Sequence, residues 1–486
     1  MTPISNICDI KNASVRFFPL ATKDPSFALA IDYSLFGLFY TLERAGCRKE
    51  NFSVTYIYSF IGATDYFLGN VDEYDEEYFV FFLENIYHSN EYAIGFFQKL
   101  LEHLRTKNSS KKIILHSAKM DISTMQDWMN TYHSLQLCAS TDLDYVLYNL
   151  ISQQKTIDQI DNIVYRDDNN NIHQTKASSI EEPLDAYYFG SYHSGGHIDY
   201  PKSLDQIIEI RTQHRLEKYD DQVFYLWSDE KYIQSCRNKS SLSAVLMTGR
   251  GCRFSCNYCF RGAKYKKVRQ ISLETIEKDL EYLSQRGYKY LYVYDDCFVS
   301  TNYDRLDQIV ELFSRYDFEY HIDARYELLS TPILEKISSI NFHTIKIGIQ
   351  SSSLEVNEVV NRTMNISRFI QTIETLQKKN IQITLDMILG LPTESLSQFL
   401  HTLEFGIKLK PSIIFINKLY INPGTQLYKD RDTYQIITDE DRGIIKDFYV
   451  PRIVSSNTFS QREIKIAEGY IKKLSQKIDH THIILR

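Results

Sequence analysis

Residues 249–262 read GRGCRFSCNYCFRG and put Cys252, Cys256 and Cys259 within eight positions, spaced C-x3-C-x2-C. Thiolates this close together suit an iron–sulfur cluster or a zinc ion. Structural zinc usually takes four closed ligands, often as two separated pairs. Here no histidine follows within the loop, and Cys8, Cys47, Cys138, Cys236 and Cys297 are scattered along the chain. A [4Fe–4S] cluster on three cysteines leaves one iron open to a substrate or cofactor, and the spacing favours that chemistry.

The elements around the loop have a regular order. AVLMT (244–248) reads as a strand leading into it. Ser272 can cap a helix with Leu273, Ile276, Leu280 and Leu283 on one face and Gly287 as its stop. Strands follow at YLYVYDD (290–296), FEYHIDA (318–324), TIKIGIQSS (344–352), ITLDMILGLP (383–392) and IIFINKLYI (413–421). A helix bearing Leu306, Ile309, Val310 and Phe313 lies between the second and third strands, and Pro332 suits the first turn of the next helix. Six βα units predict a partial parallel (β/α)6 TIM-type barrel over 241–430, with the chemistry in loops after strand C-termini. The cysteine loop is one of those loops. Residues 431–486 read as a small helical C-terminal extension that packs on the barrel or closes its mouth.

Upstream, 1–175 alternates strand-like and helix-like segments, which predicts a Rossmann-like parallel sheet. FSVTYIYSF (52–60), YFVFFL (78–83) and KKIILHS (111–117) read as strands. Helices are expected over 32–46 and 91–105, and a hairpin over 162–175. Residues 176–240, with HSGGHIDYP (193–201), read as a linker.

GRGCRFSCNYCFRG, including Tyr258 before the last cysteine, resembles the cluster loop of the radical SAM enzymes. The resemblance continues over about 241–430 through YVYDDCF, DARYELL, IGIQSSSLEVNEVVNR, LDMILGLPTES and INPGTQLY. It implies a [4Fe–4S] cluster whose open iron chelates S-adenosylmethionine (SAM). Reductive cleavage then gives methionine and a 5′-deoxyadenosyl radical that abstracts hydrogen from a substrate. By resemblance, Arg325 and Arg362 meet the methionyl carboxylate, a planar group that suits a guanidinium fork. Gln350 and Ser351 face the ribose and the methionine moiety, and Gly390 and Leu391 approach the adenine through backbone. Asp295 and Asp296 stand where many relatives carry a Gly-Gly-Glu run for the methionyl amino group, a departure reminiscent of the cobalamin-type branch. Cys297 reads as a buried strand-end residue rather than a ligand. No cysteine follows it, so the C-terminal region carries no auxiliary cysteine-bound cluster.

Residues 10–190 resemble the cobalamin-binding domain that precedes many radical SAM barrels. An Asp-x-His-x-x-Gly motif is missing, His116-Ser117 replaces an expected Gly-Gly pair, and Ser140-Thr141-Asp142-Leu143 replaces a Gly-Glu-Gly-Glu run. Side chains there obstruct a bulky cofactor tail. The expectation is a degenerate domain that keeps the fold and has lost the corrinoid; His88 and His116 read as polar surface residues rather than cobalt ligands.

A 486-residue chain with 43% hydrophobic and 24% charged residues belongs with soluble multi-domain proteins. Its formal charge of −7 argues against a nucleic-acid partner held by phosphate contacts. No apolar run is long enough to span a membrane, and the N-terminus lacks a secretory pattern. Eight dispersed cysteines fit a reducing cytoplasm rather than a disulfide scaffold. The leading expectation is an oxygen-sensitive radical SAM enzyme acting on a small molecule or peptide, with a one-electron donor such as flavodoxin or ferredoxin. A cobalamin-dependent C-methyltransferase is the alternative, ahead of a non-catalytic iron–sulfur redox protein.

Overall fold

The computed structural model describes residues 9–21, 38, 41–48, 51–54, 57–58, 71–82, 91–107, 110–117, 122–178, 180–187, 243–264, 267–285, 287–299, 303–439 and 451–485. Most of the expected linker and part of the expected 32–46 helix and 52–60 strand lie outside these residues, as does His88. The chain divides into two compact units, 1–245 with 274–288, and 246–273 with 289–486.

The first unit is built on an eight-stranded sheet. Its strands are β1 (Val15–Ala21), β2 (Phe52–Val54), β3 (Ile57–Tyr58), β4 (Tyr78–Phe82), β5 (Lys112–His116), β6 (Leu135–Ala139), β7 (Ile163–Arg166) and β8 (Ile172–Gln174). The order is β2-β1-β4-β5-β6-β7-β8, with β3 also paired to β1. Strands β1 to β6 pair in parallel, while β7 and β8 are antiparallel additions. The crossover helices include Glu91–Thr106, Ile122–Thr131 and Leu143–Ile151. Continuous burial of Tyr78–Phe81 and Ile113–Leu115 is what a parallel sheet covered on both faces requires. The expected 162–175 hairpin is β7–β8. Its turn is held by Asp167 Oδ1, which accepts from the backbone N–H of Asn169 (2.9 Å) and Asn171 (2.8 Å).

After β9 (Ser243–Leu246), which runs across the division at 245, come the antiparallel pair β10 (Gly249–Arg250) and β11 (Arg269–Gln270), and β12 (Tyr290–Val293), β13 (Glu319–Ala324), β14 (Phe342–Gln350), β15 (Gln382–Leu389) and β16 (Ile413–Lys418) of the second unit. A small β17 (Ile437–Thr438)–β18 (Ile453–Ser455) pair follows, then the helix Gln461–Ser475 and β19 (His482–Leu485). The main sheet runs β9-β12-β13-β14-β15-β16-β19, parallel at every pair from β12 onward. All six expected strands form. The helix expected after Ser272 spans Leu273–Gln285 with Ile276, Leu280 and Leu283 buried. The C-terminal reading needs correction: 431–486 is not only helical, because β19 adds a seventh parallel strand beside β16. HIIL is too short to declare itself; its pairing comes from β16, some seventy positions earlier. Among the described residues no helix is long and apolar enough to cross a membrane.

The sheet has two unlike faces. Tyr320, Ile322, Ile345, Ile347, Leu385, Met387, Ile414 and Ile416 are buried on one. The alternate residues, including Tyr292, His321, Asp323, Lys346 and Asp386, are less completely buried and mostly polar. One fully buried acid joins the strand ends. Glu394, after β15, accepts a 2.7 Å hydrogen bond from Ser351 Oγ at the end of β14. Burial pushes its carboxyl up to about 8, partly offset by the Ser351 hydroxyl and the Leu391 and Gly390 amides.

A raised folded-state pKa fixes the sign of its pH dependence. Between about 4.5 and 8 the folded chain keeps the Glu394 proton and the unfolded chain has lost it, so stability falls as pH rises through that window. Glu394→Gln should flatten this fall. Urea midpoints for wild type and variant at pH 5.5 and 8.5 should show the variant gaining on wild type at the higher pH, by on the order of a few kcal/mol. Parallel pH profiles would show that Glu394 is already ionised in the folded chain.

Candidate active site

The cysteine loop leaves β9 and is built by close backbone contact. A Cβ on Gly251, whose φ is +108°, would stand 2.2 Å from the Lys267 carbonyl oxygen, and one on Gly262 2.5 Å from that of Phe254. Only glycine fits either place. The next layer pins the loop from outside. Asn257 N–H donates to the Val360 carbonyl (3.1 Å), and Leu427 N–H to that of Asn257 (2.9 Å). Asn422 Nδ2 donates to the Tyr258 carbonyl (3.1 Å), and Asn361 Nδ2 to that of Ser255 (2.9 Å). Thus the VVNR and INPG segments, distant in sequence, both hold the loop.

Two guanidiniums converge on one thiol. Arg325 Nη1 lies 3.4 Å from Cys256 Sγ, and Arg362 Nη1 lies 3.9 Å from it. Arg325 is itself positioned by Glu327 and by the Phe254 ring, 3.7 Å from its guanidinium carbon. Arg362 donates to the Gly348 carbonyl (2.8 Å) and to Tyr258 Oη (3.2 Å). Burial pushes the Tyr258 phenol well above its ordinary value, so it stays neutral. Cys259 rises to about 11 through burial, whereas a hydrogen bond from Cys297 lowers Cys252 to about 7.

Asp295 and Asp296 turn back onto the loop. Asp295 Oδ1 accepts from the N–H groups of Thr248 (2.7 Å) and Gly249 (3.2 Å), and its Oδ2 accepts from the Thr248 hydroxyl. Asp296 Oδ2 accepts from Gly251 N–H (2.8 Å), and its Oδ1 pairs with Arg261 Nε at 3.0 Å. The pair therefore clamps the β9 end of the loop. Cys297 is buried, as expected, and it also contacts Cys252.

The remaining expected residues lie at the ends of β14 and β15. Gln350 is 9% exposed, has a φ of 62°, and leaves Oε1 without a hydrogen-bond partner. Ser351 is fully buried on Glu394 and Thr402. Leu391 is fully buried, leaving only its backbone for any contact outside the core. Gly390, φ +90°, has Ile453 Cγ2 2.9 Å from where a Cβ would stand. Sequence reasoning did not single out Thr248, Phe254, Glu327, Glu394 or Asn422. Thr248 and Glu394 each adjoin a quoted glycine-containing turn, a signal available in the sequence, whereas the contacts of Phe254 with Arg325 are not legible without the fold.

The donor set can be tested against the groups it was expected to hold. Among the described residues no three His, Cys, Asp or Glu side chains converge on one metal position. Arg325 and Arg362 beside Cys256 fit a cluster, because the negative charge of thiolates on iron would need nearby cations.

Residues 246–406 match the radical SAM superfamily. An uncharacterized methyltransferase of Pyrococcus horikoshii is 24% identical over 188 residues, 38% of this chain and 41% of that protein. A probable threonylcarbamoyladenosine tRNA methylthiotransferase of Archaeoglobus fulgidus is 21% identical over 251 residues, 48% of this chain and 58% of that one. The chain thus spans about half the length of these curated relatives. In fold, 96% of the chain superposes on 90% of the radical SAM methyltransferase TsrM from Kitasatospora setae, solved with tryptophan substrate and a SAM analogue, at a TM-score of 0.64 and 11% identity. It superposes likewise on 67% of the cobalamin-dependent SAM radical enzyme OxsB, at 0.60 and 13%. With the expected strands, cysteine loop and N-terminal sheet all present, the chain carries a radical SAM domain over 246–406 within a fold like that of TsrM and OxsB.

Proposed function

We propose that the chain cleaves SAM at a [4Fe–4S] cluster on Cys252, Cys256 and Cys259 and directs the resulting radical at a C–H bond of a small-molecule or peptide substrate. The observation that carries this reading is the convergence of Arg325 and Arg362 on Cys256 within the three-cysteine loop. When bound, the cluster and SAM supply one-electron cleavage of the sulfonium to methionine and a 5′-deoxyadenosyl radical. The chain's own residues do the rest. Arg325 and Arg362 offset negative charge at the thiolates and lie where a carboxylate can dock on a guanidinium fork. Asp295 and Asp296 hold the backbone of Thr248, Gly249 and Gly251, so the loop is preorganised before any ligand arrives. Gln350 offers its Oε1 as an acceptor for a ribose hydroxyl, Ser351 holds the strand end through its bond to Glu394 instead of meeting the methionine moiety, and the Gly390–Leu391 backbone faces the adenine. The reductant is a flavodoxin- or ferredoxin-like donor, and the setting is the reducing cytoplasm.

A second reading, cobalamin-dependent methyl transfer, is favoured by the fold likeness to TsrM and OxsB over 96% of the chain. Against it stand side chains at the strand ends of the first unit. His116, Ser117, Ser140, Thr141 and Asp142 are all buried where glycines were expected to admit a corrinoid tail.

Two measurements test these readings. Cys256→Ala should lose both the cluster's visible absorbance and 5′-deoxyadenosine formation; full cleavage in that variant would remove the site. Anaerobically reconstituted wild type, mixed with hydroxocobalamin and gel filtered, should emerge free of corrinoid. Near-stoichiometric corrinoid with S-adenosylhomocysteine formation would instead put methyl transfer first.

A further inference from the structure

The polar face of the second sheet carries a charged cluster that the cysteine loop does not use. Lys346 Nζ on β14 lies 2.8 Å from Asp323 Oδ2 on β13 and 3.6 Å from Asp386 Oδ2 on β15. Tyr292 on β12 donates to Asp323 Oδ2 at 3.1 Å, and its ring meets that of His321 edge-on, 4.8 Å between centroids. Register brings these together: Tyr292 pairs with His321, Asp323 with Lys346, and Gly348 with Asp386.

An internal ion pair would satisfy its own atoms, and this one does not. Asp323 Oδ1, Asp386 Oδ1 and His321 Nε2 are without a hydrogen-bond partner. Two carboxylates face one ammonium, and burial pulls His321 down to about 4, so it adds no positive charge. The cluster therefore has a formal charge of −1 with acceptors in excess. Unsatisfied groups in a region of low dielectric are costly unless a ligand completes them. The side chains of Asp323, Lys346 and Asp386 remain 20–24% exposed, so the group is not sealed.

The cluster is continuous with the cofactor end of the barrel. Beside Asp386, the absent side chain of Gly348 makes room for Gln350, whose Nε2 lies 2.3 Å from where a Cβ would stand. Gln350 is itself 9% exposed with Oε1 unpartnered, the acceptor assigned above to the ribose, so the cluster borders the place proposed for SAM. The Gly348 carbonyl also receives Arg362, which reaches Cys256. Asp386 is thus linked to the thiolate loop through its register partner Gly348 and Arg362.

Resting on the radical SAM reading above, we infer that Asp323, Asp386 and His321 form a substrate-anchoring site for a protonated amine. Rotation of the two carboxylates presents their unpartnered oxygens to an ammonium, which restores neutrality. Lys346 and Tyr292 hold Asp323 in place from below. Tyr292, Tyr294 and Phe415 lie on the same strand face, so an arylalkylamine is a suitable probe.

The test uses full-length protein with its cluster reconstituted and SAM present. Binding of 2-phenylethylamine, 2-phenylethanol and 3-phenylpropionate is compared by ligand-observed NMR. The amine should bind about tenfold tighter than the alcohol and the carboxylate weakest, as a charge-assisted contact predicts. Asp386→Asn should bring the amine to within about twofold of the alcohol, with cluster absorbance reporting that the variant has folded. Equal binding of all three probes by wild type would overturn the inference without any variant, as would an amine preference that survives Asp386→Asn. Production of 5′-deoxyadenosine is scored separately. Its absence in wild type would defeat the radical reading, while its presence without amine preference would defeat only this site.

Discussion

Three thiols in one short loop, Cys256 buried and Cys252 and Cys259 partly so, impose the constraint around which the second unit is arranged. If they bind irons as thiolates they concentrate negative charge where solvent cannot screen it, and the structure must supply cations nearby. Arg325 comes from the end of β13 and Arg362 from the segment after Leu354–Val359, and both reach the middle cysteine. Neither is left to find its own position. Glu327 and Phe254 hold the first, and the Gly348 carbonyl and Tyr258 hold the second. A guanidinium can do this because its planar fork serves several partners at once, which a lysine ammonium on a flexible stem does less well.

The same end of the sheet shows how loop backbone is satisfied without regular structure. A loop that must stay open to a ligand cannot pair all its amides in a ladder, so side chains take them. Asp295 and Asp296 accept from Thr248, Gly249 and Gly251, while asparagines 257, 361 and 422 tie the loop to segments far along the chain. Acidic residues that a motif-level reading places on the cofactor's amino group thus act on the protein. The two assignments differ in consequence: losing a brace disorders the loop and all three cysteines together.

Much of this was legible in the sequence because it is local. The cysteine spacing, the glycines around it, and each strand's apolar run are contiguous in the chain, and the six expected strands of the second unit all form. What escaped was non-local. β19 exists because β16 offers it an edge, and HIIL alone has no such information. Glu394 adjoins a readable turn, yet its burial and its bond to Ser351 require two strand ends to meet. His321, Asp323, Lys346 and Asp386 all sit within quoted strand segments. Only the register that sets Asp323 opposite Lys346 turns four ordinary alternating residues into one cluster.

The first unit illustrates the opposite limit, where likeness of fold says less than the residues at the strand ends. Its parallel strands β4, β5 and β6 end, as such sheets do, where a ligand crevice is expected. Here His116 and Ser117 follow from β5, and Ser140 to Asp142 follow β6, all nearly fully buried. Ser117 N–H donates to the Ala139 carbonyl, Ser140 N–H to that of Asn162, and Tyr187 Oη to Asp142, while Thr141 Oγ1 is buried without a hydrogen-bond partner. A bulky cofactor tail needs backbone that it can approach, and side chains stand at these strand ends where glycines would leave the backbone open. Superposition on a corrinoid enzyme compares strand order and leaves such side chains out of account, so corrinoid binding is decided by these residues and not by the topology of the unit.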